Sequence, residues 1–130
     1  MLGDLDHIQL AFPAGAESRM RAYYCDLLGM VEIAKPAALQ GRGGFWTRVG
    51  ALEIHFGKDP DFHRATKAHP AFRVADIDRL ARLLTDAGFP VLWDTALPDV
   101  IRFFSTDPVG NRIEFISAET SRGGFLRHPA

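Results

Sequence analysis

The chain states one pattern twice, each time with a histidine and a glutamate. The first half opens on Leu5-Asp6-His7-Ile8-Gln9-Leu10 and closes on Leu52-Glu53-Ile54-His55-Phe56. The second opens on Ala68-His69-Pro70-Ala71-Phe72 and closes on Arg112-Ile113-Glu114-Phe115-Ile116. His7 and His69 are 62 positions apart, Glu53 and Glu114 are 61 apart, and Leu27-Leu28-Gly29 is echoed by Asp86-Ala87-Gly88 at 59. A period this long, present only twice, is not a solenoid array. It reads as a duplicated supersecondary unit with one imidazole and one carboxylate per copy. Two copies facing each other supply four ligands of the kind a divalent metal takes.

Local patterning fills in the unit. Ile8, Leu10 and Phe12 alternate with His7, Gln9 and Ala11, the period of a half-buried strand from about residue 5 to 12. Met20, Tyr23, Tyr24, Leu27 and Leu28 follow at helical spacing, so a helix is expected from about 16 to 28, ended by Gly29. Short strands follow near 30–35, 44–49 and 51–57. The segment 35–44, with Pro36 and three glycines, is expected to be a mobile loop.

The second half runs the same course. Phe72 and Val74 alternate against His69, Ala71 and Arg73, and Asp76 caps a helix with the apolar stripe Ile77, Leu80, Ala81, Leu84 and Ala87. Strands near 90–94, 100–106 and 111–117 follow, the last two joined by the turn Asp107-Pro108-Val109-Gly110-Asn111. The expected fold class is α+β: two βαβββ modules forming a curved eight-stranded mixed sheet around a metal cleft. At 130 residues the chain is expected to be a single domain. Its modules span about 4–57 and 68–118, with a linker at about 58–67 and a tail at 119–130.

Composition excludes several classes of function. Hydrophobic residues make up 47% of the chain and charged residues 24%, the balance of an ordinary globular protein. A net charge of −1 gives no electrostatic case for nucleic acid or an anionic membrane surface as partner. No apolar run reaches the roughly 20 residues of a membrane helix, and the N-terminus lacks a signal-peptide pattern. Cys25 is the only cysteine, so the expectation is a reduced, cytoplasmic protein without an intrachain disulfide. As a nucleophile Cys25 is disfavoured, because no basic cluster stands near it in sequence. His63 and His128 are expected at the surface.

Strand parity selects the candidate site. On the fourth strand Leu52, Ile54 and Phe56 share one face, and Glu53 and His55 the other. On the last strand Ile113 and Phe115 oppose Arg112, Glu114 and Ile116. The apolar sets face the helices, so His7, Glu53, His55, His69 and Glu114 fall together on the opposite face. A buried carboxylate without a partner is costly, and a bound cation removes that cost. Mixed imidazole and carboxylate ligands suit zinc, nickel, iron, manganese or cobalt. Two positions left open in an octahedral shell would accept a substrate with adjacent oxygens. Arg48, Arg73 and Arg102 lie on expected strands and are candidates for an anionic substrate. Arg73 has the best case, since it shares the parity of His69. Trp46, Trp93, Phe103 and Phe104 are candidates to line an apolar pocket.

These residues resemble a known family. Asp6-His7-Ile8, the Tyr23-Tyr24 to Leu27-Leu28-Gly29-Met30 helix end, His69-Pro70-Ala71-Phe72 and Asp107-Pro108-Val109-Gly110-Asn111-Arg112-Ile113-Glu114 are similar to the vicinal oxygen chelate superfamily. That superfamily includes glyoxalase I, bleomycin-resistance proteins, methylmalonyl-CoA epimerase, fosfomycin-resistance enzymes and extradiol dioxygenases. The resemblance covers roughly residues 4–118 and is closest to small single-domain bacterial members. It implies a divalent metal held by His7, Glu53, His69 and Glu114, with His55 the alternative fourth-strand ligand. It also implies a homodimer, whose clefts draw their halves from one chain or from both.

The implied activity is that of a metal-dependent lyase, isomerase, epimerase or oxygenase on a small substrate that chelates the metal through vicinal oxygens. Glu114 or Glu53 would be the catalytic base, and His55, Arg73, Trp93 and Phe104 would contact the substrate. The alternative is a non-catalytic, bleomycin-resistance-like dimer that sequesters a ligand. The chain also departs from individual subfamilies. His55-Phe56-Gly57 stands where glyoxalase I-like chains carry an asparagine, and Gln9 stands where fosfomycin-resistance enzymes usually have threonine.

Overall fold

Why each half folds as it does can be followed strand by strand in a computed structural model, which describes residues 1–119. The expected tail beyond Glu119, including His128, lies outside the described residues. The described chain divides in sequence between Arg64 and Ala65 into two compact units.

In the first unit, β1 (His7–Phe12) leads into α1 (Glu17–Arg21), which continues as a π-helical segment over Ala22–Leu27. Then come β2 (Val31–Ile33), a 3-10 turn (Ala37–Arg42), β3 (Phe45–Val49) and β4 (Leu52–Lys58). The strands form a mixed sheet in the order β1-β4-β3-β2, with β1 parallel to β4 and the other pairs antiparallel. One face is the core. Phe12, Phe45, Ile54 and Phe56 are buried there together with Met20, Tyr23 and Tyr24 from the helix. Phe56 is the centre of this packing, 4.5 Å from both the Tyr24 and Phe45 rings. Burying a side chain of this size stabilises by about 1.5–3 kcal/mol.

The single helix expected over 16–28 is therefore α-helical only for its first part. Leu28 N–H reaches back five residues to the Tyr23 carbonyl at 3.0 Å, and Met30 N–H reaches Tyr24 at 3.0 Å. The wider turn lets two consecutive residues, Tyr23 and Tyr24, both go into the core at 2% and 0% exposure. Apolar periodicity cannot distinguish this from an ordinary helix, because the two periods diverge by little over two turns.

The expected loop at 35–44 is also more structured than its composition suggests. Lys35 Nζ donates to the Gly43 carbonyl at 2.6 Å, Gln40 Nε2 to the Lys35 carbonyl at 3.1 Å, and the Gly44 amide to Glu17 Oε1 at 2.7 Å. Gly44 has φ +80°, and a Cβ there would lie 2.2 Å from the Phe56 carbonyl oxygen, so only glycine fits.

The second unit repeats the plan. β5 (Ala71–Val74), α2 (Ile77–Asp86), β6 (Leu92–Asp94), β7 (Arg102–Thr106) and β8 (Arg112–Ser117) give a sheet in the order β5-β8-β7-β6, again with a parallel outer pair. Asp76 caps α2 as expected, its carboxylate accepting the Arg79 amide at 3.1 Å. Ile77, Ala81 and Leu84 of α2 and Phe103, Ile113 and Phe115 of the sheet are buried. The Asp107–Asn111 turn is built on Asp107 Oδ1, which accepts from the Val109 and Asn111 amides at 3.0 Å each. The two expected βαβββ modules are thus present, each with its own four-stranded mixed sheet. Among the described residues, no helix is long and apolar enough to cross a membrane.

Candidate functional site

Register places the chemistry on the face of each sheet away from its core. In the first unit His7 sits opposite Glu53, and Gln9 opposite His55, across the parallel β1–β4 pair. Trp46 sits opposite His55 from β3. His55 is 4% exposed, a buried imidazole between two aromatic rings. The Trp46 indole stacks on one side at 3.6 Å and 3°, and the His7 ring on the other at 4.1 Å and 21°. His55 Nε2 lies 2.9 Å from Glu53 Oε1. A carboxylate oxygen accepts, so His55 donates and Glu53 is held by it. His7 is anchored in the same manner, its Nδ1 donating to Asp6 Oδ2 at 2.8 Å.

In the second unit His69 stands two residues before β5, and Glu114 sits in the middle of β8, opposite Ala71 and Phe104. The Glu114 amide bonds the Pro70 carbonyl at 3.0 Å, which sets the position of the His69 backbone. His69 Nδ1 is 2.8 Å from the Lys67 carbonyl and Nε2 is 3.0 Å from Glu114 Oε1. The carbonyl can only accept, so Nδ1 carries a proton. In neutral imidazole Nε2 then presents a lone pair to a carboxylate oxygen. That contact is favourable with a proton shared between the ring and the carboxyl, or with a cation between the two groups. Committing the far nitrogen to a backbone carbonyl is also how metal-ligating histidines are oriented.

Glu114 is 4% exposed, and its other oxygen takes Arg102 Nη1 at 3.2 Å. Arg102 bridges onward through Nη2 to Asp94 Oδ2 at 2.6 Å. The Ala96 amide and Arg102 together outweigh desolvation and hold Asp94 below its usual carboxylate value. Two carboxylates share one guanidinium, which leaves this ionic cluster one positive charge short of neutral. Phe104 lines it, edge-on to His69 at 5.4 Å, with the Arg112 guanidinium 4.1 Å above its ring.

The two units thus bring their own candidates together: His7, Glu53 and His55 in one, His69, Glu114 and Phe104 in the other. Within either unit, among the described residues, no three of His, Cys, Asp and Glu are gathered closely enough to hold an ion. The donors come as pairs. Arg73 is exposed, opposite Ile116 and on the Glu114 side of its sheet. Trp93 is not on that side. It sits opposite Phe103 in a 5.1 Å edge contact on the helix face, because β6 pairs with β7 in the register that puts Leu92 opposite Phe104. Arg48 is exposed, opposite Glu53.

Arg102, read from sequence as a candidate for an anionic substrate, is instead bound to Glu114 and Asp94. Parity alone could have signalled it, since Arg102, Phe104 and Glu114 share a face. Burial and Glu32 push the Cys25 thiol above its ordinary value, consistent with a residue that is no nucleophile. His63 is exposed, as expected.

Duplicated βαβββ units with a histidine and a carboxylate on each open face are the architecture of the vicinal oxygen chelate superfamily. No family profile matches the chain, and no curated protein does. Solved structures do. A glyoxalase family protein from Bacillus anthracis is 47% identical, with 90% of this chain and 96% of that one covered, at a TM-score of 0.84. A genomically encoded fosfomycin resistance protein from Listeria monocytogenes shares the fold at 15% identity, with 91% and 95% covered and a TM-score of 0.72. Lactoylglutathione lyase from Agrobacterium tumefaciens does so at 16% identity, with 86% and 92% covered and a TM-score of 0.64. The chain belongs to the glyoxalase family of the vicinal oxygen chelate superfamily.

Proposed function

We propose that the chain is a metal-dependent enzyme of glyoxalase or dioxygenase type, acting on a small substrate that offers two neighbouring oxygens. The observation that carries this reading is His69. Its Nδ1 is committed to the Lys67 carbonyl, so Nε2 aims a lone pair at Glu114 Oε1 3.0 Å away, beside an ionic cluster that lacks positive charge. A divalent ion fits that donor set. The first unit offers the matching pair, His7 and Glu53. His55 donates to Glu53 and is buried between two rings, which favours Glu53 as the ligand and His55 as the group that orients it. The full set takes one pair from a first module and one from a second, of the same chain or of another copy in a homodimer.

When bound, such an ion supplies Lewis acidity, polarising the substrate oxygens and stabilising negative charge that develops on them. The remaining work falls to the chain. Glu114 or Glu53 takes and returns a proton next to the substrate carbonyl, while the imidazoles stay fixed. Phe104 supplies an apolar wall and Arg73 offers a charge at the rim, whereas Trp93, on the helix face with Phe103, stands away from the substrate. The family relationship to the glyoxalase protein supports a lyase or isomerase. Iron in the site would instead favour oxygenase chemistry.

One observation favours a second reading. Arg102 already gives Glu114 a cation at 3.2 Å, and a proton on His69 would complete the balance. On that reading the chain is a bleomycin-resistance-like binding protein without turnover. Elemental analysis of tag-free protein separates the two. A near-stoichiometric transition metal, lost in His69→Ala, is expected for the enzyme. No metal after reconstitution with zinc, nickel, manganese, cobalt or iron would rule it out.

A further inference from the structure

The first unit holds a pocket that the metal reading does not use. It lies beneath the Ala37–Arg42 turn, has a volume of about 240 Å³, and is lined by Lys35, Arg42, Lys58, Gln9 and Trp46 among others. At about 30 Å³ per liquid water, it has room for an oxyanion and several waters. Its lining contains three cations and no carboxylate. Among the described residues, none of the three has an ion-pair partner within 4.0 Å. Glu17 stands beside the pocket and feels the Lys35 charge, but both its oxygens are engaged elsewhere: Oε1 accepts the Gly44 amide at 2.7 Å and Oε2 takes Arg21 at 3.1 Å. Lys35 is held over the pocket by its bond to the Gly43 carbonyl, so its charge is positioned before any ligand arrives.

The rest of the lining fits an anion that carries an organic body. Gln9 supplies an amide, and its side chain lies over Gly57, where an added Cβ would come within 2.7 Å of Gln9 Nε2. Trp46 supplies a flat apolar wall whose other neighbour is His55. Gln9, Trp46 and Gly57 share the face of His7 and Glu53, whereas Phe56 and Lys58 have the parity of the helix face, so the pocket lies at the end of β4 where the two faces meet. From Glu53 to Gly57 along β4 is four residues, roughly 13 Å at the rise of a strand.

We infer that this pocket binds the oxyanion of the substrate, a phosphate-like or carboxylate group held by Lys35, Arg42 and Lys58. The inference rests on the enzyme reading above and narrows it. The substrate is an elongated anion, with its neighbouring oxygens at one end and its charged group roughly a strand's length away.

Tryptophan fluorescence tests the pocket independently of the metal. The chain has two tryptophans, so Trp93→Phe leaves Trp46 as the sole reporter. The full chain is titrated with inorganic phosphate and, separately, with acetate, in about 0.15 M chloride to screen surface attraction. The titrations are repeated after EDTA. Saturation that survives EDTA is expected. Saturation by phosphate alone assigns a phosphate-like group, and saturation by acetate alone a carboxylate. The side chains of Arg42 and Lys58 make no hydrogen bond among the described residues, so Arg42→Ala and Lys58→Ala test charge without disturbing the turn. Each should weaken binding by about tenfold, the scale of one charge-assisted hydrogen bond. Arg82→Ala on α2 should have no effect.

No saturable change with either anion would overturn the inference, and so would full binding in Arg42→Ala and Lys58→Ala together. Loss of saturation after EDTA would also overturn it, by showing that the anion sat on a metal, and would leave the enzyme reading standing. Saturation in a chain that takes up no metal would do the reverse.

Discussion

His69 Nε2 and Glu114 Oε1 stand 3.0 Å apart although the residues are 45 positions apart in sequence, and the Lys67 carbonyl fixes which nitrogen faces the carboxylate. If this pair and its counterpart in the first module hold a metal, His69→Ala and His7→Ala should each lower metal content and turnover together. Glu114→Gln should keep much of the metal and lose most turnover if Glu114 is the base. Full activity in Glu114→Gln would move that role to Glu53. Full activity in Glu53→Gln as well would end the carboxylate-base mechanism.

Arg102 is the structural keystone of the same cluster. Its side chain is 16% exposed and that of Glu114 5%, so removing the guanidinium strands a carboxylate in a poorly solvated place. Arg102→Ala should cost about 3–5 kcal/mol by denaturant unfolding. Arg102→Met with Glu114→Gln should recover much of that loss, because neither charge is then left unpaired. A double variant no more stable than Arg102→Ala would show that packing, not charge, sets the cost.

Glu17 ties the start of α1 to the 35–44 segment. Burial pushes its carboxyl up, but the Gly44 amide and Arg21 outweigh that and leave it below 4.5. A value lowered on folding means that the contribution is complete above the unfolded value and is lost as pH falls through the folded one. Stability from this contact should therefore be full at neutral pH and decline in acid below about 4.5. Glu17→Gln should cost about 1 kcal/mol at pH 7, a modest figure because the side chain is partly exposed. The variant should also show a shallower acid decline. Parallel curves of unfolding free energy against pH would contradict this.

Gly44 makes a sharper structural prediction. Alanine there meets both a positive φ and the Phe56 carbonyl, and should destabilise by at least about 2–3 kcal/mol. Gly15 also has positive φ, at +87°, but open space around it, so Gly15→Ala should cost only about 1–2 kcal/mol. Equal thermal shifts in the two variants would show that the close approach at Gly44 is not felt.

Much of this protein could be read from its residues because the informative signals were local. Side chains on a strand alternate whatever the strand pairs with, so Ile54 and Phe56 had to oppose Glu53 and His55. Duplication then extended the same parity to His69 and Glu114. Asp76 as a cap and Asp107 as a turn needed only their own neighbours.

What the tertiary structure decided were matters of pairing. Trp93 went to the helix side because the β6–β7 register put it opposite Phe103, and register is set by contacts summed along both strands rather than by any one residue. Arg102 met Glu114, and His55 was closed between Trp46 and His7, because separate strands aligned them. The π-helical segment formed because burying both Tyr23 and Tyr24 in the core outweighed the cost of a wider turn. Periodicity determines which face a residue takes. Only the packed fold determines its neighbours there, since that choice is an energy shared among distant parts of the chain.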